Sequence, residues 1–217
     1  MNKINVSKFD TDKNLMPAYI ALYEEIFFPL KDKNIKLLEL GVLKGGSVLM
    51  WQDYFKNGHI VGLDLDKVNL EQEAERITLY QGKQNDIELL KAIAEEQALD
   101  GFDIVIDDCA HIGSIAKESF DYIFKNHLKS GGFYVIEDWG TGYWETWPDG
   151  KSYNISIVDG NRIKSHDYGM VGLVKSLIDL LAIPDINRGT DSSPFEENFI
   201  GIKTIKISGG IMFIEKA

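Results

Sequence analysis

Short apolar runs alternate with longer amphipathic stretches along most of this chain. Strand-length runs occupy residues 35–40, 60–63, 77–80, 102–106 and 132–136. Between them the spacing becomes helical. Residues 15–29 carry Leu15, Tyr19, Leu22, Tyr23, Ile26 and Phe27 at helical intervals and end at Pro29. Helices are also predicted after residue 47 (Val48, Leu49, Trp51, Phe55) and over 87–98, 114–128 and 172–181. Residues 1–13 read as polar and irregular, and 183–196 as a polar, proline-containing connection. The runs 199–207 and 211–214 flank Ser208-Gly209-Gly210, a hairpin signal. Strands that alternate with helices build parallel βαβ units. The expectation is an α/β, doubly wound, mostly parallel seven-stranded sheet with a C-terminal antiparallel hairpin.

Chemistry gathers in the unit spanning 102–138. Its first strand ends in Asp107-Asp108, with His111 three positions later, and its second ends in Glu137-Asp138. Parallel strands bring their C-terminal ends side by side, at the rim where open α/β sheets bind ligands. Four carboxylates there repel one another and are costly to desolvate, and a bound cation relieves both problems. Hard oxygen donors suit Mg²⁺, Ca²⁺ or Mn²⁺. His111 is placed to act as a base. The alternative is that these residues simply cap strands and helices.

The strand 35–40 carries Glu39 and turns through Gly41-Val42-Leu43-Lys44-Gly45-Gly46-Ser47 into a helix. Strand, glycine turn and helix start form a nucleotide cradle. A dinucleotide fingerprint would need glycine where Leu43 stands. Asp64 closes the second strand, where a carboxylate can bond ribose hydroxyls. Asp86 is either a helix N-cap or a partner for an adenine amino group. Residues 139–169 hold Trp139, Tyr143, Trp144, Trp147 and Tyr153, too long and aromatic for a plain connection, and read as a lid or binding loop.

The net charge of -11 argues against nucleic acid or an anionic membrane as the main partner. Cys109 is the lone cysteine, which fits a reducing cytoplasm. No apolar run reaches membrane-spanning length. The 217 residues suit a single domain.

These residues together resemble the class I S-adenosylmethionine-dependent methyltransferases. The carriers are Leu37-Leu38-Glu39-Leu40-Gly41-Val42, Asp64 and the final hairpin. Gly45-Gly46-Ser47 followed by Trp51, Asp107-Asp108-Cys109-Ala110-His111-Ile112 and the run from Gly131 to Asp138 are similar to the metal-dependent sugar O-methyltransferases of macrolide and other glycosylated natural-product pathways. The resemblance implies S-adenosyl-L-methionine and Mg²⁺ as cofactors and a sugar-containing or other small-molecule acceptor. It implies Mg²⁺ on Asp108, Glu137 and Asp138, His111 as base, and cofactor contacts from Glu39, Asp64 and Asp86. Gly41, Gly45 and Ser47 of the turn join the cofactor set, and Asp107 is a further cofactor or supporting contact. A homo-oligomer is compatible with this reading. Competing readings are a catechol-type O-methyltransferase, a nicotinamide-dependent oxidoreductase and a non-catalytic carbohydrate-binding module on the same fold.

Overall fold

The computed structural model describes residues 3–70, 74–153, 157–158, 162–189 and 201–217. Its elements in chain order are α1 (Pro17–Phe27), β1 (Lys36–Leu40), α2 (Gly46–Tyr54), β2 (His59–Asp64), β3 (Ile77–Gln81), α3 (Ile87–Gln97), β4 (Phe102–Asp107), α4 (Gly113–Asn126) and β5 (Leu128–Ile136). There follow β6 (Ile157–Val158), β7 (Arg162–Ile163), α5 (Gly169–Leu181), α6 (Ile183–Arg188), β8 (Ile202–Ile207) and β9 (Met212–Lys216). Seven strands form one sheet in the order β3-β2-β1-β4-β5-β9-β8, and β6 and β7 pair separately. Strands β1 to β5 pair in parallel, whereas β9 runs antiparallel to both β5 and β8. The mixed seven-stranded sheet matches the expectation from the apolar pattern.

The pleat sorts side chains between two apolar layers. Leu37, Ile60, Ile104, Ile106, Val135 and Phe213 face the layer that holds α1 and α2. Leu38, Leu40, Val61, Leu63, Val105, Tyr134 and Ile136 face the layer that holds α3, α4 and α5. Both faces of the central strands are therefore covered, which explains why they read as continuous apolar runs.

Three local expectations are corrected. The segment before α1 is ordered into 3-10 turns at Val6–Lys8 and Asp12–Leu15, with Ile4, Phe9 and Lys13 buried. Leu15, counted in the apolar stripe, is 80% exposed, because α1 starts only at Pro17, a residue suited to a first helical turn. The connection after α5 opens with α6, likewise begun with proline in its first turn. Positions 190–196 of that connection and 199–200 of the predicted hairpin lie outside the described residues.

Candidate active site

The register puts Leu40 beside both Leu63 and Asp107, and Asp107 beside Ile136. The ladder continues one step further, as Gly41 N donates to Leu63 O, Asp108 N to Leu40 O and Glu137 N to Asp107 O. Gly41, Asp108 and Glu137 therefore sit side by side at the C-terminal rim. A Cβ on Gly41, whose φ is +89°, would lie 2.0 Å from Asp108 O, so glycine is needed for this approach.

The pleat then decides which carboxylates meet. Asp107 faces the α3/α4 layer, where Gln84 Nε2 donates to its Oδ1 at 2.9 Å and Tyr134 O–H to its Oδ2 at 3.1 Å. Burial pushes Asp107 up to about 7 against those two hydrogen bonds. Gln84 Oε1 also accepts from Ala110 N at 2.9 Å, fixing the loop that carries His111. Glu39, Asp108 and Glu137 point to the opposite face. Glu39 is fully buried and accepts from Ser47 Oγ at 2.8 Å and Trp51 Nε1 at 3.2 Å. Burial raises it to about 7.

On that face lies Lys13, which sequence reasoning passed over. Its side chain is 1% exposed, and its Nζ donates to Asp108 Oδ2 at 2.7 Å and Glu137 Oε1 at 2.8 Å, with Glu39 Oε1 at 3.9 Å. Burial alone would lower its pKa, but Asp108, Glu137 and Glu39 outweigh burial and keep the ammonium protonated. Glu137 also accepts from Tyr23 O–H. Burial, then the charge of Asp108, push Glu137 up to about 8, opposed by Lys13 and Tyr23. The strap carrying Lys13 passes over the glycine turn, where a Cβ on Gly46 would lie 1.9 Å from Asp10 O. Thr11 Oγ1 accepts from Lys13 N and shapes the local turn.

Asp108 Oδ1 lies 3.7 Å from His111 Nε2, and Asp138 Oδ2 lies 3.9 Å from the same nitrogen. Donor atoms of Asp108, His111 and Asp138 all fall within 4.8 Å of one another; the two carboxylates are the hard oxygen donors that suit a divalent cation, and His111 stands beside them. Asp138 Oδ1 accepts from Tyr19 O–H at 2.8 Å. Tyr19 and Tyr23 thus pack in the core and also carry hydroxyls to the rim acids. His111 and Asp138 hold φ of +48° and +52°, a backbone region that L residues avoid and that gathers at functional sites.

At the glycine turn, Asp64 Oδ2 accepts from Val42 N and Leu43 N, each at 2.8 Å, and so orders the turn. Gly45, in left-handed conformation, is the N-cap of α2. Asp86 Oδ1 accepts from Leu89 N at 3.1 Å and caps α3; this fulfils the capping alternative and leaves its second oxygen for another partner.

The sheet order, reversed final hairpin and acid-lined rim define the class: this is the seven-stranded class I methyltransferase fold. No protein-family model matches the chain. In sequence it is similar to mycinamicin VI 2''-O-methyltransferase of Micromonospora griseorubida, 34% identical over 204 aligned positions that cover 89% of this chain and 47% of that protein. It is similarly close to demethylmacrocin O-methyltransferase of Streptomyces fradiae, 34% identical over 222 residues, covering 95% of this chain and 52% of that protein. In structure it is similar to the MycE methyltransferase of the mycinamycin biosynthetic pathway in complex with Mg and SAH, with TM-score 0.78 and 31% identity over 99% of this chain and 55% of that one. The chain is thus a homologue of sugar O-methyltransferases from natural-product pathways, and it spans about half the length of the curated relatives it matches.

Proposed function

We propose that the protein transfers a methyl group from S-adenosylmethionine to a hydroxyl of a sugar carried on a small molecule, with Mg²⁺ at the acidic rim. The observation that carries this reading is the convergence of Asp108, His111 and Asp138 within 4.8 Å, one strand away from the glycine turn. Asp108 and Asp138, with Glu137 beside them, would hold the cation, which lowers the pKa of a bound hydroxyl and fixes its position. His111 takes the hydroxyl proton on Nε2 as the oxygen attacks the methyl carbon and the C–S bond of the sulfonium breaks, releasing S-adenosylhomocysteine. Gly41, Gly45 and Ser47 cradle the cofactor, Asp64 meets the ribose and Asp86 the adenine. Glu39 supports the cradle from beneath through Ser47, and Asp107 supports the His111 loop through Gln84. Alignment of oxygen and methyl is the chain's main contribution to rate. We place the protein in the cytoplasm, on the lone cysteine; among the described residues no helix is long and apolar enough to cross a membrane.

The test measures S-adenosylhomocysteine release with mycinamicin VI, demethylmacrocin and rhamnosylated tetracenomycin C as probe acceptors, names that the relatives' activities supply. Turnover should require Mg²⁺ and stop in EDTA. His111→Ala should lower kcat by about 10²–10⁴-fold and leave S-adenosylmethionine affinity unchanged. Full turnover in EDTA, or no calorimetric binding of S-adenosylmethionine, overturns the proposal.

A further inference from the structure

Asp149 fastens the aromatic segment after β5 to two helices at once. Asp149 Oδ2 accepts from Gly113 N at 2.7 Å and from Met170 N at 2.8 Å. These are first-turn amides of α4 and α5, helices of 14 and 13 residues, neither of which has a side-chain cap from its own N-cap residue. One carboxylate from the lid therefore satisfies an orphan N–H on each of two helices and faces the positive end of both dipoles. The packing is built for it. A Cβ on Gly113 would lie 2.0 Å from Gly169 C, and one on Gly169 would lie 2.4 Å from Asp149 Cγ.

Two residues before Asp149, Trp147 reaches the catalytic loop. Its Nε1 donates to Ala110 O at 3.4 Å, and its ring centroid lies 5.9 Å from that of His111. Trp144, 51% exposed, stands edge-on to Trp147 at 6.3 Å. This sets an indole face beside His111, and the apolar face of a sugar ring is the ligand chemistry such a face fits.

We propose that Asp149 is a positioning residue, a latch that seats segment 139–153 on α4 and α5 and so holds Trp147 as the wall of the acceptor pocket. The acceptor part rests on the reading of His111 as the base; the latch part does not. Hydrogen exchange on the full chain tests the latch. Asp149→Ala should raise exchange about tenfold or more at the Gly113 and Met170 amides and across 139–150, because a lost cap is worth about a factor of ten. Strands β1 and β4 should not change. Asp149→Asn keeps an acceptor oxygen and should stay within about threefold of wild type. Trp147→Ala, which leaves the latch in place, should raise the KM for an acceptor at least about tenfold, as expected for a lost stacking contact, with S-adenosylmethionine affinity unchanged. The same KM rise is expected for Asp149→Ala.

Exchange in 139–150 that is unmoved by Asp149→Ala overturns the latch, and so does an Asp149→Asn variant as loose as Asp149→Ala. An acceptor KM unmoved by Trp147→Ala, in an enzyme that does methylate a probe, overturns the wall. Should wild type methylate no probe, the functional reading is what fails, and the exchange result still decides the latch.

Discussion

Replacing Lys13 with methionine tests whether a buried ammonium holds the acidic rim together. The substitution keeps an unbranched side chain, one heavy atom shorter, and removes the charge from between Asp108 Oδ2 and Glu137 Oε1, now 2.7 and 2.8 Å away. Breaking a buried ion pair by removing one partner costs about 3–5 kcal/mol, because the other charge is left uncompensated. Two features argue for the lower end. Asp108 is 15% exposed and can turn to water, and Glu137 keeps the Tyr23 hydroxyl as a donor. A loss of about 3 kcal/mol in a protein of this size lowers Tm by roughly 6–12 °C. The assay is urea and thermal unfolding in EDTA at pH 9, where Glu137, pushed up to about 8, is ionised, on Lys13→Met, Glu137→Gln and the double variant. Once Lys13 is gone, an amide at 137 is easier to bury than a carboxylate, so the double variant should recover at least about 1 kcal/mol relative to Lys13→Met. A Lys13→Met loss below about 1 kcal/mol would place the pair with ordinary surface salt bridges and refute the reasoning. A double variant no more stable than Lys13→Met would refute it as well.

Two further perturbations probe the other ends of the rim. Burial holds Asp107 at about 7 in the folded protein, above its ordinary 3.8. Its contribution to stability is therefore complete below pH 3.8 and is lost as pH rises through 7. Asp107→Asn should flatten the fall in Tm over that window in metal-free protein, and superimposable Tm–pH curves for the variant and wild type would discard the assignment. Leu43 holds φ +53° while 75% exposed, so Leu43→Gly relieves a left-handed strain of about 1–2 kcal/mol against a glycine entropy cost of about 0.5–1 kcal/mol. Urea unfolding should find the variant as stable as wild type or better by up to about 1.5 kcal/mol; a loss of about 2 kcal/mol would count against it.

How far the site could be read from residues depends on which side chains the period-2 rule reaches. The sheet was legible because its strands are short apolar runs that alternate with stretches of helical spacing, and because β9 and β8 are separated by a Gly-Gly hairpin signal. The departure at Leu43 was legible as a missing glycine, yet the backbone there adopts the conformation that glycine would have taken. Asp107 and Asp108 read as a pair, but the pleat that sends Ile104 and Ile106 to one layer and Val105 to the other separates them as well. That split was available from alternation alone. Lys13 was not. It stands in a polar stretch with no periodicity, and its partners lie 95 and 124 residues away along the chain. What the sequence did contain was the electrostatic demand: Glu39, Asp108 and Glu137 share one face of one rim and require a positive charge within it. On the proposed reading a divalent cation would answer that demand from solution on the His111 side, while Lys13 answers it from within the chain on the α1 side. An acidic cluster therefore constrains the charge that must arrive without saying which strand, strap or ion delivers it, and only tertiary placement separates the two sources.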